Sequence, residues 1–178
     1  MSLYQSPPPE THVLCVDEMG PTSAKTYPAA RWSEKRPPVE ADYGRRGKIW
    51  TLGAFEPQTG QALTWCTTGR TSANFVTFLD QLVTYWSDGT IMVILDNLST
   101  HKTLDVLLWA LTHPRVHFLF QPTYAPWLNL IEPWWKTLRS LALKGRCFLN
   151  AEAIIQAIQA ATDRWNRQRH PYVWRKVN

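Results

Sequence analysis

Two apolar stretches of this sequence each end in an aspartate, and this pairing restricts the possible folds more than any other feature of the chain. Residues 12–17 read HVLCVD and residues 91–96 read IMVILD. Asp17 and Asp96 therefore each follow a run that is typical of a buried strand. A carboxylate in that position lies at the carboxyl edge of a sheet, where open α/β sheets bind their ligands. If the two strands are neighbours, their carboxylates converge.

The other apolar patterns predict a single mixed sheet covered by helices. Residues 48–55 and 61–66 flank a turn that contains Pro and Gly, which predicts a hairpin. Residues 116–120 predict a fifth strand. Helical spacing of apolar residues occurs at residues 72–86, 102–111, 129–143 and 151–166. The hairpin supplies antiparallel pairing, and the later strands need crossover helices, so the predicted fold class is α/β with a mixed five-stranded sheet flanked by helices.

The composition fits one domain of ordinary size. Of the 178 residues, 44% are apolar and 19% are charged, which allows a real core and argues against wholesale disorder. We expect a disordered tail over residues 1–11, one domain over residues 12–178, and a long loop over residues 18–46 within that domain. The sequence has no apolar run long enough to span a membrane. Its three separated cysteines favour neither a disulfide framework nor a zinc site, so we expect a cytoplasmic protein.

The net charge of +5 favours a polyanionic partner without identifying it. Basic residues cluster at Arg45, Arg46 and Lys48, and again in residues 164–176, where aromatic residues are interleaved with them. Basic groups can contact phosphates, and aromatic rings can stack on bases. A solvated basic surface explains either cluster equally well.

The two strand-end aspartates raise an electrostatic problem if they are neighbours. Two adjacent carboxylates repel each other unless a cation lies between them. Oxygen ligands without His or Cys suit Mg²⁺ or Mn²⁺. Either aspartate alone is more often an ordinary turn residue, but the occurrence of both Asp17 and Asp96 after buried strands favours a shared metal site.

A third carboxylate, Glu132, lies in the segment YAPWLNLIEPWW at residues 124–135. Its spacing from Asn129 is that of a capping box, in which Glu132 would only bond backbone N–H groups. A ligand role is compatible with that position, because the positive end of a helix favours the ionised carboxylate that a metal needs. Pro133 is tolerated only in a first helical turn, which places a helix start nearby.

Three segments of this chain together resemble a known family. Residues 96–102 (DNLSTHK), 122–126 (PTYAP) and 129–134 (NLIEPW) resemble the DDE endonuclease domain of Tc/mariner-type transposases, in particular the branch found in bacterial insertion sequences. The resemblance covers about residues 12–143. Ala125 stands where Ser is usual in this group, and Leu130 stands where Pro is usual. Neither departure removes a carboxylate.

Further features agree with the same group. Asp17 is followed by Glu18 at the end of a strand, and residues 45–48 read RRGK at the entry to the next one. Thirty-five residues separate Asp96 from Glu132, a spacing typical of the branch.

The resemblance implies an RNase H-like fold and a transposase catalytic domain that cuts and joins DNA strands. Asp17, Asp96 and Glu132 would be the catalytic residues and would hold two Mg²⁺ ions about 4 Å apart, with Mn²⁺ as a substitute. Asn97 would orient a ligand. His101 and Lys102, one helical turn beyond Asp96, would support the metal ligands or reach a phosphate of the DNA backbone. Glu18 points to the opposite face of its strand and is left out of the metal site.

The resemblance also implies partners. DNA is the expected substrate, and no membrane is involved. Family members usually carry a helix-turn-helix region that recognises the ends of the element, and the roughly eleven residues before the first strand hold no such helix. We therefore expect a separate DNA-recognition domain or protein. Transposition needs two active sites acting together, which is compatible with a homodimer.

Three alternatives remain open from the residues alone. The first is a catalytically silent or truncated remnant that only binds nucleic acid. The second is a glycosidase, because paired carboxylates and ten tryptophans also suit carbohydrate hydrolysis. The third is a structural RNase H-like module, which does not require acids at these strand ends.

Overall fold

The computed structural model describes residues 2–27, 46–122 and 129–172, which form a five-stranded sheet with helices on both faces. The strands are β1 (Thr11–Ser23), β2 (Lys48–Glu56), β3 (Gln61–Thr67), β4 (Thr90–Leu95) and β5 (Val116–Phe120). Their order is β3-β2-β1-β4-β5. The pairs β1–β2 and β2–β3 are antiparallel, and β1–β4 and β4–β5 are parallel. The predicted mixed five-stranded α/β architecture is confirmed.

The helices divide the core into two layers, one on each face of the sheet. They are α1 (Ser2–Gln5), α2 (Ser72–Tyr85), α3 (Leu104–Thr112), α4 (Ile131–Ala142) and α5 (Ala151–Arg167). Phe78 and Leu79 of α2 pack with Val93 of β4 on one face. Trp134 of α4 and Ile158 of α5 belong to the core on the other face. Because both faces are covered, the central strands read as continuous apolar runs.

The first strand is longer than its sequence pattern predicts. It continues past Asp17 because β2 pairs with it as far as Ser23 and Lys48. Its pairing with β4 stops earlier, at Cys15 and Ile94. Beyond that pair β1 follows β2 alone, so Asp17 lies within a strand but at the point where the parallel part of the sheet ends.

The segment predicted as a disordered tail contains the short helix α1. Tyr4 packs against the core, with its hydroxyl 3.2 Å from the sulfur of Cys15. Of the predicted long loop, residues 28–45 lie outside the described residues. Among the helices of the described ranges, none combines the length and apolar character needed to cross a membrane.

Helix α3 is apolar on both of its sides. Val106 and Trp109 face the core and are buried. Leu104, Leu107, Leu108 and Leu111 are more than half exposed. Their spacing of three, four and seven residues places them in one stripe along the outer surface of the helix.

Candidate functional site

The pairing of β1 with β4 brings Asp17 and Asp96 to the same edge of the sheet. Cys15 lies opposite Ile94 in parallel register. Asp17 and Asp96 each follow that last parallel pair by two residues, so both lie just beyond the paired part of the two strands, at the same edge of the sheet. This is the arrangement that the two strand-end aspartates predict.

Asp17 is largely enclosed and points toward α4. The indole Nε1 of Trp135 donates a hydrogen bond of 3.3 Å to its Oδ2. Burial raises the pKa of Asp17 to about 7, and the negative charges of Glu18 and Glu132 add to that effect. The carboxylate of Glu132 is therefore close enough to Asp17 for their charges to repel each other.

Space for the Trp135 ring comes from Gly53 on β2. Gly53 lies opposite Asp17 in the β1–β2 pairing. A Cβ atom at this position would overlap the six-membered ring of Trp135. The glycine thus permits the close approach of the indole that bonds Asp17.

Asp96 has different surroundings from Asp17. Its side chain is 44% exposed, and its Oδ1 accepts hydrogen bonds from the Leu98 N–H at 3.0 Å and lies 3.1 Å from Nδ1 of His101. Burial opposes ionisation, but the contacts with His101 and the Leu98 N–H hold the pKa of Asp96 below its ordinary value. Asp96 is therefore the readily ionised member of the pair.

Glu132 lies in the first turn of α4 and is exposed. Asn129, just before this helix, is buried, and its side-chain amide donates a 3.1 Å hydrogen bond to the carbonyl of Val16. Val16 directly precedes Asp17, so Asn129 fixes the start of α4 beside the first aspartate. The N-cap of α4 is Leu130 and makes no side-chain cap hydrogen bond, so the capping box predicted from the spacing of Asn129 and Glu132 is not formed.

The donor set has the chemistry of a site for a hard divalent cation. Asp17, Asp96 and Glu132 offer oxygen ligands only, as Mg²⁺ and Mn²⁺ prefer. Burial raises the pKa of Asp17 most, and the charges of Glu18 and Glu132, which a cation would neutralise, add to that effect. Within the described ranges no group of three or more His, Cys, Asp or Glu side chains is close enough to hold a metal ion as it stands. The residues fit the ion in kind, and binding would have to draw them closer together.

His101 forms a buried bridge behind Asp96. Its Nδ1 lies 3.1 Å from Oδ1 of Asp96 and its Nε2 lies 3.0 Å from Oε1 of Glu18. The His101 side chain is 0% exposed and that of Glu18 is 3% exposed. Burial alone would lower the pKa of His101, but the two carboxylates raise it to about 9. Of the two roles predicted for His101, contact with a phosphate is wrong because the ring is enclosed, and support of a proposed ligand agrees with its contact with Asp96.

The position of Glu18 follows from the alternation of side chains along β1. Asp17 points toward Trp135 of α4, whereas Glu18 points toward His101 on the face that α2 covers. The prediction that Glu18 points to the opposite face of β1 from Asp17 is confirmed.

A family model described as DDE superfamily endonuclease matches residues 12–155. The chain belongs to this family. A relative from Shigella sonnei, named insertion element IS630 uncharacterized 39 kDa protein, is 32% identical over 96 residues, which are 53% of this chain and 28% of the relative. The chain thus spans less than a third of that protein's length.

Solved structures show the same fold. The Mos1 transposase paired-end complex with the left transposon end matches 96% of this chain and 52% of its own, with 15% identity and a TM-score of 0.65. The catalytic core domain of BIV integrase matches 89% of this chain and 86% of its own, with 12% identity and a TM-score of 0.59. These likenesses establish the RNase H-like fold of this DDE domain.

Asn97 and Lys102 lie beside the carboxylate edge of the DDE domain. The side-chain amide of Asn97 donates to the carbonyl of Gln121, which joins the segment after β4 to the segment after β5. Nζ of Lys102 donates a 2.6 Å hydrogen bond to Oδ1 of Asn97 and lies 4.7 Å from the centre of the Phe120 ring. Asn97 therefore orders the loop that carries Asp96, and Lys102 remains exposed at the surface.

The basic cluster before β2 lies away from the carboxylates. Lys48 pairs with Ser23 at the far end of β1, five residues along β2 from Gly53, which lies opposite Asp17. At ~3.3 Å per residue this is ~17 Å. Arg46 is half-buried, and Arg45 lies outside the described residues. Lys48 and the backbone of Arg46 therefore lie away from the carboxylate site.

Four residues of this site are not identified as site residues by the sequence pattern. Trp135, Asn129, Gly53 and Glu18 act through contacts between elements that are distant in the chain. The one local signal was the alternation of β1, which predicted the direction of Glu18 but not its partner.

Proposed function

We propose that this DDE domain is the catalytic part of an insertion-sequence transposase, which cleaves DNA strands and transfers them to new phosphodiesters. One observation carries the proposal. Asp17 and Asp96 both lie just beyond the last parallel pair of β1 and β4, and Asn129 fixes the helix that bears Glu132 beside Asp17. This placement supports the proposal, because metal-assisted phosphoryl transfer needs carboxylates that can share divalent ions at one edge of the domain.

Asp17, Asp96 and Glu132 are proposed to hold two Mg²⁺ ions, with Mn²⁺ as a substitute. When bound, such ions make a water or 3′-hydroxyl nucleophile available near neutral pH and stabilise the leaving oxygen. The protein's part is to position its carboxylates. Trp135 donates to Asp17, and His101 together with the Leu98 N–H orients Asp96. Partners of this kind raise metal affinity by fixing the direction of each ligand.

Residues around this edge are proposed to contact the DNA. Lys102 is exposed next to the loop of Asp96 and suits a phosphate contact. Arg45, Arg46 and Lys48 stay candidates for a more distant contact with the backbone of the same DNA. A separate recognition domain or protein that selects the target sequence also stays a prediction, which a gel-shift assay with random and element-end DNA tests.

The decisive experiment is nicking of a supercoiled plasmid in the presence of Mn²⁺. We expect nicking by the wild-type protein, and its loss on chelation and in Asp96→Asn. Asp163→Asn is the matched control, because it makes the same chemical change at an exposed position of α5. Equal nicking by wild type and Asp96→Asn would mean that the site is not catalytic.

The same assay separates the alternatives. A silent remnant would show Mn²⁺-induced stabilisation that depends on Asp96 and no nicking. A glycosidase would hydrolyse a glycosidic substrate in the presence of a chelator, and the family membership gives that alternative no support.

A homodimer belongs to the same proposal, because two copies would supply two active sites. The exposed leucine stripe of α3 is the surface that suits a second copy of the chain. A twofold axis through the stripe would bury the same four side chains on both protomers, as an isologous interface requires.

A further inference from the structure

A cleft of about 610 Å³, open to solvent, lies between the end of β1 and helix α4. It is separate from the carboxylate edge and has no role in the mechanism above. Its lining includes Lys25, Tyr27, Lys136, Arg139, Ser140 and Lys144.

The cleft is strongly cationic. Four of its lining residues are Lys or Arg, and none of the described residues that line it is acidic. Lys25, Lys136, Arg139 and Lys144 are all exposed. The ion pairs found within the described ranges join other residues, so the cleft keeps its positive charge.

The two walls of the cleft are held together by the backbone. The Tyr27 N–H donates to the carbonyl of Arg146 at 2.7 Å, and the Gly145 N–H donates to the carbonyl of Tyr27 at 2.8 Å. The Phe148 N–H donates to the carbonyl of Lys25 at 3.2 Å. Lys25 is therefore fixed beside the end of α4, although more than a hundred residues separate the two segments.

The cleft is aligned with the proposed active site through α4. Lys136 and Arg139 follow Glu132 by four and seven residues, so all three lie on one face of the helix. The rise along the helix is ~6 Å from Glu132 to Lys136 and ~4.5 Å more to Arg139, and Lys144 follows two residues after the end of α4. The rise from Glu132 to Arg139 corresponds to about three phosphate steps in one strand of B-DNA.

We propose that this cleft binds the phosphate backbone of the DNA next to the phosphate that is cleaved. The inference rests on the proposed function, which makes DNA the polyanion in question. An open cleft with several separated cations suits a segment of a long polymer, because each cation can neutralise a different phosphate. The hydroxyl group of Ser140 adds a neutral donor of the kind that contacts phosphate oxygens.

The test is the double variant Lys25→Gln/Lys144→Gln, which leaves Glu132 and its neighbours unchanged. Affinity is measured by fluorescence anisotropy with a labelled DNA duplex of about 20 base pairs, two turns of B-DNA. EDTA is present, so binding is read without cleavage. We expect a loss of affinity on the order of tenfold and a salt dependence that falls by about two in slope.

Two further variants serve as controls. Arg164→Gln/Arg167→Gln removes the same charge from the second basic cluster, at exposed positions of α5, and should lose less affinity than the cleft variant. Lys25→Arg/Lys144→Arg keeps the charge and should retain affinity. Unchanged affinity of the Gln variant would overturn the inference, as would an equal loss in the α5 variant, since bulk charge would then explain both.

The outcome is independent of catalysis. If the wild type nicks DNA but the Gln variant binds normally, the cleft proposal fails and the proposed function stands. If the wild type never nicks DNA but its binding depends on Lys25 and Lys144, the proposed catalytic function fails and DNA binding by the cleft stands.

Discussion

At the scale of single residues, the carboxylate of Asp17 has the most unfavourable surroundings of the proposed ligands. Burial and the charges of Glu18 and Glu132 raise its pKa to about 7, against an ordinary value of 3.8. Between those two pH values the native state binds a proton that the unfolded state has lost. Without metal, stability therefore falls as pH rises through this window.

Asp17→Asn should remove the loss of stability that ionisation of the buried Asp17 carboxylate causes. The difference in pKa corresponds to at most ~4 kcal/mol, and relaxation of the site reduces it to ~2 kcal/mol. We expect Asp17→Asn to raise the free energy of unfolding in EDTA at ~pH 8 and to have little effect at ~pH 4. Urea denaturation measures it, with Asp163→Asn as the control. A gain of the same size at both pH values would contradict this account of Asp17.

Excess Mn²⁺ should make the wild-type protein more stable than Asp17→Asn. A cation bound beside Asp17 stabilises the native state by mass action, and the amide of Asn is a poorer ligand than a carboxylate. The wild-type melting temperature should rise with Mn²⁺ at ~pH 8, and that of Asp17→Asn should rise much less. Equal rises in the two proteins would remove Asp17 from the metal site.

The bridge from Glu18 through His101 to Asp96 carries a second prediction. His101→Ala leaves the carboxylate of Glu18 buried without its partner, which costs ~3–5 kcal/mol of stability. Because Asp96 loses a hydrogen bond too, Mn²⁺ affinity should fall ~10–100-fold. Urea denaturation and calorimetric titration measure the two effects. A loss of stability with unchanged Mn²⁺ affinity would leave His101 with a structural role only.

A double-mutant cycle with Glu18→Gln isolates the pair. His101→Ala should cost less in the Glu18→Gln background, because a neutral amide needs no cation. The wild-type contribution of this pair is also pH-dependent: the pKa of His101 is raised from 6.5 to about 9, so the stabilisation is complete below ~pH 6 and is lost as pH rises through 9. The His101→Ala variant should lack that loss.

Single residues also show what the sequence can predict. Asp17 and Asp96 are recognisable because each directly follows a continuous apolar run, which is a local pattern. His101 was assigned to a phosphate contact because its place in the chain, just after Asp96, does not reveal that a carboxylate from β1 meets it in the core. Burial of a polar group depends on contacts that no local pattern records.

At the scale of elements, the contact between β2 and α4 determines how Asp17 is held. Gly53→Ala should place a methyl group against the Trp135 ring, which overpacks the core at a cost of ~1–3 kcal/mol. The displaced indole would lose its hydrogen bond to Asp17. We expect lower stability together with weaker plasmid nicking.

Gly69→Ala is the matched control for this substitution. A Cβ at Gly69 would have one neighbour, a Thr71 methyl group at an ordinary 3.9 Å. Its stability and nicking should therefore match wild type. If Gly53→Ala behaves like Gly69→Ala, the Trp135 contact does not position Asp17.

The bounds of a strand could be predicted where its own sequence pattern determines them. All five strands were identified, since each is a short apolar run or half of a hairpin. The end of β1 was placed at Asp17, six residues before its end at Ser23. That error has a physical cause, because the extra length is stabilised by pairing with β2 and not by the composition of β1 itself.

At the scale of the whole molecule, both faces of the sheet are covered, yet α3 presents an apolar stripe to solvent. The exposed fractions of Leu104, Leu107, Leu108 and Leu111 are 68%, 55%, 53% and 79%. The exposed fractions add up to about two and a half fully exposed leucines per protomer. At ~2 kcal/mol for each leucine, their burial in two protomers would stabilise a dimer by ~10 kcal/mol. Association itself costs ~4–15 kcal/mol. A dimer through this stripe should therefore be weak and dependent on concentration.

Leu111→Glu tests this dimer, because it places a charge in the stripe of each protomer. We expect the wild-type protein to shift from monomer to dimer as its concentration rises in sedimentation velocity, and Leu111→Glu to remain monomeric. Leu149→Glu is the control, since Leu149 is similarly exposed at 73% but lies outside α3. It should dimerise like wild type, because no neighbouring leucines extend its surface. A wild-type protein that is monomeric at every concentration would rule out α3 as a contact between copies, whereas dimers formed equally by Leu111→Glu would place that contact elsewhere on the molecule.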